Sequence, residues 1–167
     1  MRQHLKQWQW FAISAIITLT LTGCNKRETA IQDDWANYQV AQSKIQELAE
    51  TKRKELYTRL MESPKVTPDP DELDAIVKDA QAAQDELTAQ INAIGPKTEA
   101  VKKYHAAFAP FAVGSINTLK INAQAIKDRD MTPFRKANGE YSYIQSQYQT
   151  AKAVILVELA NEIKQNK

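Results

Sequence analysis

The sequence predicts an all-α protein: an antiparallel up-down four-helix bundle with coiled-coil-like packing and a kinked third helix. Only four of the 167 residues are Gly and six are Pro, which favours helix over turn-rich β structure. Apolar residues recur at spacings of three and four along four segments, the period of an amphipathic helix. Four such helices joined by short loops bury their apolar stripes most simply as a bundle. A three-helix core with a loose first helix and an oligomer of long helices are the alternatives.

The first helix is predicted from about Thr29 to Glu62. Thr29 is followed three positions later by Gln32, the spacing of a capping box. The helix has to end before Pro64, because the residue preceding a proline avoids the helical conformation. Residues 63–70 contain three prolines and therefore form a connecting loop.

The second helix is predicted to begin at Asp69-Pro70, where Asp69 is the N-cap and Pro70 occupies the first helical position. Its apolar stripe extends to Ile94. Gly95-Pro96 is expected to close it as a C′ glycine and a helix stop. This segment, residues 71–94, has six acidic residues against one lysine, a net charge of −5.

The third helix is predicted over residues 96–127, with five lysines against one glutamate, a net charge of +4. Opposite charges favour its pairing with the second helix. Pro110 lies inside it and removes a backbone donor, so a kink is expected there. The surrounding segment suggests two alternatives: a small apolar pocket opened by the kink, or a bend that packs on the core with Gly114 admitting a neighbouring side chain. The candidate pocket residues are Phe108, Pro110, Phe111 and Gly114.

The fourth helix follows a polar turn at residues 128–132, with Thr132-Pro133 as its predicted start. Asn138-Gly139 is a turn signal, so the regular helix is expected only from Glu140. Residues 141–150 contain three tyrosines interleaved with three glutamines. Such a surface suits glycan or peptidoglycan contact, and an ordinary solvent-facing side of the helix is the alternative.

The amino-terminal segment has the pattern of an export signal. Arg2 and Lys6 precede a run of twelve largely apolar residues, 10–21. This run is short for a bilayer span of about 20 residues, but it matches the h-region of a secretory signal. Leu21-Thr22-Gly23-Cys24 follows, and it resembles the lipobox of bacterial lipoproteins. An ordinary signal peptide with a chance cysteine and an uncleaved anchor are the alternatives.

The resemblance implies cleavage after Gly23, diacylglyceryl transfer to the Cys24 thiol and acylation of the new amino terminus. Residues 1–23 would be the signal peptide, 24–28 the lipidated terminus and linker, and 29–167 the bundle domain. Asn25 follows the cysteine where many lipoproteins retained in the inner membrane have Asp. The class rule therefore points to the outer membrane, with the bundle facing the periplasm.

Removing Arg2 and Lys6 from the 22 basic residues leaves 20 basic against 20 acidic residues, so the side chains of the mature chain have no net charge.

Catalytic and metal-binding patterns are not found in the sequence. Cys24 is the single cysteine, and His105 is the only histidine left after removal of the signal. His105 could act as a proton switch, an axial ligand or a general base, or lie at the helix surface as an ordinary side chain. No inward-facing Glu-x-x-His pair, haem-attachment motif or Gly-rich phosphate loop occurs. We therefore predict no catalytic residues, no metal and no cofactor.

Partners follow from location and surface. The lipidated Cys24 would hold the protein to the membrane, and an envelope protein is the expected partner. Nucleic acid is disfavoured because the domain lacks a basic face with stacking aromatics. The polar faces of the helices are not especially basic, which weakens a membrane-lying role for them. The sequence thus predicts a non-enzymatic interaction or structural module of the envelope. The alternative is a bundle that binds a small apolar ligand or peptidoglycan.

Overall fold

The structure, a computed structural model, describes residues 30–62 and 69–165. This part of the chain forms four α-helices and no strand, which confirms the predicted all-α four-helix bundle. The predicted signal peptide, Cys24, the linker and the capping box at Thr29 lie outside the described residues. The helices are α1 (Ala30–Glu62), α2 (Pro70–Asn92), α3 (Glu99–Asp128) and α4 (Thr132–Gln165).

The helix α3 lies at the centre of the bundle and packs against each of the other three helices. Helix α1 packs on both α2 and α3, whereas α4 packs almost entirely on α3 and meets α1 at few positions. Helices α2 and α4 are not packed against each other. The first helix is therefore part of the core, and the weakest seam of the bundle runs between α1 and α4.

The core consists of the predicted apolar stripes. Ile76 and Leu87 of α2 and Val101, Phe108 and Ile116 of α3 are fully buried. Each such side chain stabilises the fold by about 1.5–3 kcal/mol relative to an exposed position. Helix α4 differs, because only Ala137, Tyr148 and Ile155 are buried along its 34 residues.

The helix ends agree with the predictions in one case and differ in another. Asp69 caps α2, and its Oδ1 accepts the backbone N–H of Asp71 at 3.0 Å. The predicted C′ glycine is wrong, because α2 ends at Asn92 with Ala93 as its C-cap, which places Gly95 one residue beyond C′. Ala93 is in the right-handed region, and no glycine in the described residues has positive φ. The left-handed residue is instead Arg129, φ 55°, in a Schellman motif that closes α3.

The fourth helix begins earlier than predicted. It is continuous from Thr132 through Gly139, so the expectation of a regular helix only from Glu140 is wrong. Asp130 Oδ1 accepts the Thr132 backbone N–H at 2.9 Å and satisfies a donor of the first turn. Ala137 is buried, and this burial helps to offset the cost of a glycine inside the helix.

Ion pairs connect α2 with both of its neighbours. Lys127 of α3 pairs with Asp74, as the opposite net charges predicted. Arg59 of α1 bridges Glu72 at 2.9 Å and Asp79 at 2.6 Å. The acidic face of α2 is therefore matched by α1 as well as by α3. These partly exposed pairs favour the observed neighbours but contribute at most about 1 kcal/mol each.

A buried carboxylate joins α1 to the start of α3. Asp34 is 7% exposed. Its Oδ2 accepts hydrogen bonds from the backbone N–H of Lys97 at 2.9 Å and from the backbone N–H of Thr98 at 2.6 Å. The same oxygen accepts a hydrogen bond from the Thr98 hydroxyl at 2.7 Å. Burial alone would raise the pKa of Asp34, but the hydrogen bonds from Thr98 and Lys97 outweigh it and hold the pKa below 3.8. Thr98 is the N-cap of α3 without a side-chain capping bond of its own, so Asp34 satisfies these donors from another helix.

Replacing Asp34 by alanine is expected to lower the free energy of unfolding at pH 7 by about 2 kcal/mol, because it leaves buried donors unpaired. Folding lowers the pKa of Asp34. The stabilisation by its carboxylate is therefore fully present at pH values above the ordinary carboxyl pKa, and it is lost as the pH falls through the pKa that Asp34 has in the folded protein. Urea unfolding at pH 7 and at about pH 3 measures it. The neighbouring exposed Asp33→Ala is the matched control, and equal losses for the two variants at pH 7 would contradict the capping role.

Candidate functional site

Aromatic rings from α1, α3 and α4 meet in one cluster at the centre of the bundle. Tyr104 and Phe108 stack at a centroid distance of 6.5 Å, and Tyr38 meets Tyr104 edge-on at 5.6 Å. Phe111 stacks on Tyr148 of α4 at 4.2 Å with an interplanar angle of 11°. Such offset and edge-to-face contacts add to the burial of the rings, so the cluster determines how α1 and α4 sit on α3.

A hydrogen-bonded polar group lies within this cluster. Gln42, 7% exposed, donates from Nε2 to the hydroxyls of Tyr104 at 2.8 Å and Tyr148 at 2.9 Å. The two hydroxyls are themselves 2.8 Å apart, and Gln46 Nε2 donates to Tyr148 at 3.3 Å. Burial and the bond to Tyr148 raise the pKa of Tyr104, so its phenol stays protonated at neutral pH. One residue from each of α1, α3 and α4 is thereby linked.

His105 lies on the flank of α3, next to Tyr104. Its Nδ1 is 3.1 Å from the Tyr38 hydroxyl. Burial lowers the pKa of His105 from its ordinary value, which favours the neutral ring, and an unprotonated Nδ1 can accept a hydrogen bond from the Tyr38 hydroxyl. His105 is therefore hydrogen-bonded to Tyr38 of the core. Its roles as a proton switch, an axial ligand or a general base stay predictions.

An open groove of about 310 Å³ runs along the seam between α1 and α4. Gln42, Tyr104 and Tyr148 line its deeper part, whereas Gln39, Ser43, Gln46 and Lys152 bring amide, hydroxyl and ammonium groups to it from more exposed positions. Trp35 also lines the groove and packs edge-on against Tyr104 at 4.8 Å. Aromatic surface with a few convergent polar groups is typical of a ligand site. The complete lining is Trp35, Ala36, Gln39, Val40, Gln42, Ser43, Gln46, Tyr104, Tyr148 and Lys152.

None of the four predicted pocket residues lines this groove, although Phe108 and Phe111 contact the ring of Tyr148, which does. Phe108 is fully buried among the rings, and Pro110 is on the exposed side of α3. The Tyr141 ring packs over Gly114, where an added Cβ would lie 2.6 Å from Tyr141 Cδ2. The structure therefore shows one feature of the second alternative, in that Gly114 admits a neighbouring side chain, and the apolar pocket at the Pro110 kink stays a prediction.

The sequence-based prediction missed the polar residues of the site. Gln42 lies in the apolar stripe of α1, four positions after Tyr38 and three before Ile45, and an amide at that position was the signal that could have revealed it. Among the described residues, no group of three or more His, Cys, Asp or Glu side chains is placed to hold a metal ion. Acidic side chains are mostly exposed in proteins, but Asp34, which adjoins the exposed Asp33, is the buried cap of α3.

Comparison with known proteins adds no family to this geometry. No protein-family model matches the chain, and neither the curated proteins nor the solved structures give a significant match. The chemistry of the groove therefore has to follow from its own residues.

Replacing Gly114 by alanine is expected to lower the free energy of unfolding by about 1–3 kcal/mol, because the new methyl group meets the Tyr141 ring in a packed site. Gly139→Ala is the matched control. Nothing lies within 4 Å of its Cβ position, so it is expected to raise stability by about 0.5–1 kcal/mol, the helix-propensity difference between the two residues. Urea unfolding followed by circular dichroism compares the two, and stabilisation by both would contradict the close packing of Tyr141.

Proposed function

We propose that this protein is a lipid-anchored component of the bacterial cell envelope, held by acylated Cys24 in the outer membrane with its bundle in the periplasm. The observation that carries the proposal is Leu21-Thr22-Gly23-Cys24 at the end of a charged and then apolar leader. Diacylglycerol and an amide-linked acyl chain supply three chains, and two membrane signals already suffice for stable anchoring.

The arrangement of the helix ends supports a single membrane-facing end. The backbone N–H of Ile31, at the start of α1, lies 3.4 Å from Glu162 Oε1 near the end of α4. The start of α1 and the end of α4 are therefore side by side. Residues 25–29 reach at most about 18 Å when fully extended, so an anchored Cys24 would keep this end near the bilayer. None of the described helices is long and apolar enough to cross a membrane.

Replacing Cys24 by alanine is expected to abolish acylation, since the thiol is the acceptor of the diacylglyceryl group. Cells expressing the chain are grown with an alkyne analogue of palmitate, and the labelled protein is detected after click coupling. Leu21→Val, which keeps an aliphatic residue in the lipobox-like motif, is the control expected to retain labelling. Equal labelling of the Cys24 variant and the parent would contradict the proposal.

We further propose that the bundle acts by binding a partner, not by catalysing a reaction. The polar side-chain groups gathered at the groove are three glutamine amides, two phenols, a serine hydroxyl, one indole N–H and one ammonium group. A phenol is protonated at neutral pH, burial moves the pKa of Tyr104 still further from neutrality, and amides do not titrate near neutral pH. Such groups recognise a ligand by hydrogen bonding and packing.

The groove favours peptidoglycan as a second candidate function, within the same periplasmic setting. A sugar ring has an apolar face that packs on an aromatic ring, and its rim of hydroxyl and acetamido groups pairs with amides. Trp35 supplies the ring, Gln39 and Gln46 supply the amides, and Lys152 supplies a cation for the carboxylates of the stem peptide. This set of groups suits a glycan better than a purely apolar ligand.

The double variant Gln39→Ala/Lys152→Ala is expected to weaken co-sedimentation with purified peptidoglycan sacculi about tenfold, or ~1.4 kcal/mol. Both side chains are exposed, so the fold should persist. Tyr143→Ala/Lys103→Ala removes two other exposed side chains and is the matched control. Loss of binding in the control alone, or no binding by the parent chain, would rule out the groove as a glycan site.

A further inference from the structure

The last third of α4 exposes apolar side chains to solvent. Leu156 and Val157 are 49% and 59% exposed, and Val154 and Ile163 are 47% and 42% exposed. This is unusual for a helix whose inner side already buries Ile155 against α3. We name the exposed apolar side of this stretch the α4 outer face. It consists of Ala153, Val154, Leu156, Val157, Ala160 and Ile163.

The charges around the α4 outer face are of one sign. From residue 152 to residue 165, the exposed charged residues are Lys152 and Lys164. The two acidic residues of this stretch, Glu158 and Glu162, are half-buried on the bundle side, and Glu162 accepts the backbone N–H of Ile31. The exposed surface is therefore apolar and basic, although the stretch as a whole is close to neutral.

The α4 outer face is also next to the predicted lipid attachment. Because Glu162 contacts the start of α1, the linker from Cys24 arrives at this end of α4. Val157 lies five residues before Glu162, which is about 8 Å along the helix axis at about 1.5 Å per residue. The linker, at most about 18 Å long, can therefore bring the face to the bilayer surface.

We propose that the α4 outer face lies against the headgroup region of the bilayer that holds Cys24, so that the bundle rests on its side at the membrane and the groove is held beside it. This inference rests on the proposed function. Amphipathic helices at a bilayer surface bury their apolar side about 5–10 Å into the headgroup boundary. Nearby lysines are attracted to anionic lipids. The sequence disfavoured such contact because the polar faces of the helices are not especially basic, whereas packing places Glu158 and Glu162 of α4 on the inner side.

The test places a fluorescent label on the α4 outer face of the full lipidated chain. Cys24 is the only cysteine in the sequence and its thiol is blocked by lipid, so Val157→Cys introduces a single reactive thiol for bimane. The purified protein is reconstituted into phosphatidylethanolamine and phosphatidylglycerol vesicles that contain a lipid spin-labelled near the headgroup. Ala82→Cys, at an exposed position of α2, which is not packed against α4, is the matched control, and Leu156→Cys repeats the test on the α4 outer face.

Quenching by the spin-labelled lipid is expected to be at least about threefold stronger at positions 157 and 156 than at position 82, because only the first two would reach the headgroup boundary. Equal quenching at all three positions overturns the placement. Cross-linking of two copies of the Val157→Cys variant through the introduced thiol, without lipid quenching, assigns the face to self-association and also overturns it. The mass of the purified chain reports acylation separately: a chain without acyl groups refutes the proposed function, whereas an acylated chain without quenching refutes only the membrane contact of α4.

Discussion

The structure depends on the burial of α3 against three helices at once. A helix in this position needs an apolar surface wide enough for several neighbours, and the buried residues of α3 indeed extend around more of its circumference than a single stripe. Gly114 is part of this adaptation, because its missing side chain lets the Tyr141 ring of α4 approach the α3 backbone. The other helices then need only one apolar side each, and α4 buries the fewest residues of the four.

Two polar devices determine how α1 is placed on this centre. At one end, the Asp34 carboxylate satisfies the backbone donors that precede α3. Near the middle, Gln42 links the hydroxyls of Tyr104 and Tyr148. Apolar contacts tolerate a shift along or around a helix, but a buried hydrogen bond does not, since a displaced donor would remain unpaired. Both devices therefore specify the position of α1 more strictly than the surrounding apolar contacts.

The uneven packing also explains where the protein has surface to use. Because α4 packs on α3 and barely meets α1, the seam between α1 and α4 stays open as a groove, and the far side of α4 stays exposed. The proposed glycan contact uses the groove, and the proposed membrane contact uses the α4 outer face. Both lie toward the end of the bundle where Ile31 meets Glu162, so a lipid anchor at Cys24 would bring them close to the bilayer together.

The sequence alone determined the number of helices and most of their bounds, because apolar periodicity and proline positions act over a few residues of one segment. The Asp69 cap and the pairing of α2 with α3 were predictable for the same reason. The tertiary structure alone decided the left-handed Arg129, the continuous helix through Gly139, the burial of Asp34 and the meeting of Gln42 with two tyrosines. Each of these depends on which residues a neighbouring helix presents and at what rotation, and that information is not contained in the spacing of residues along one helix.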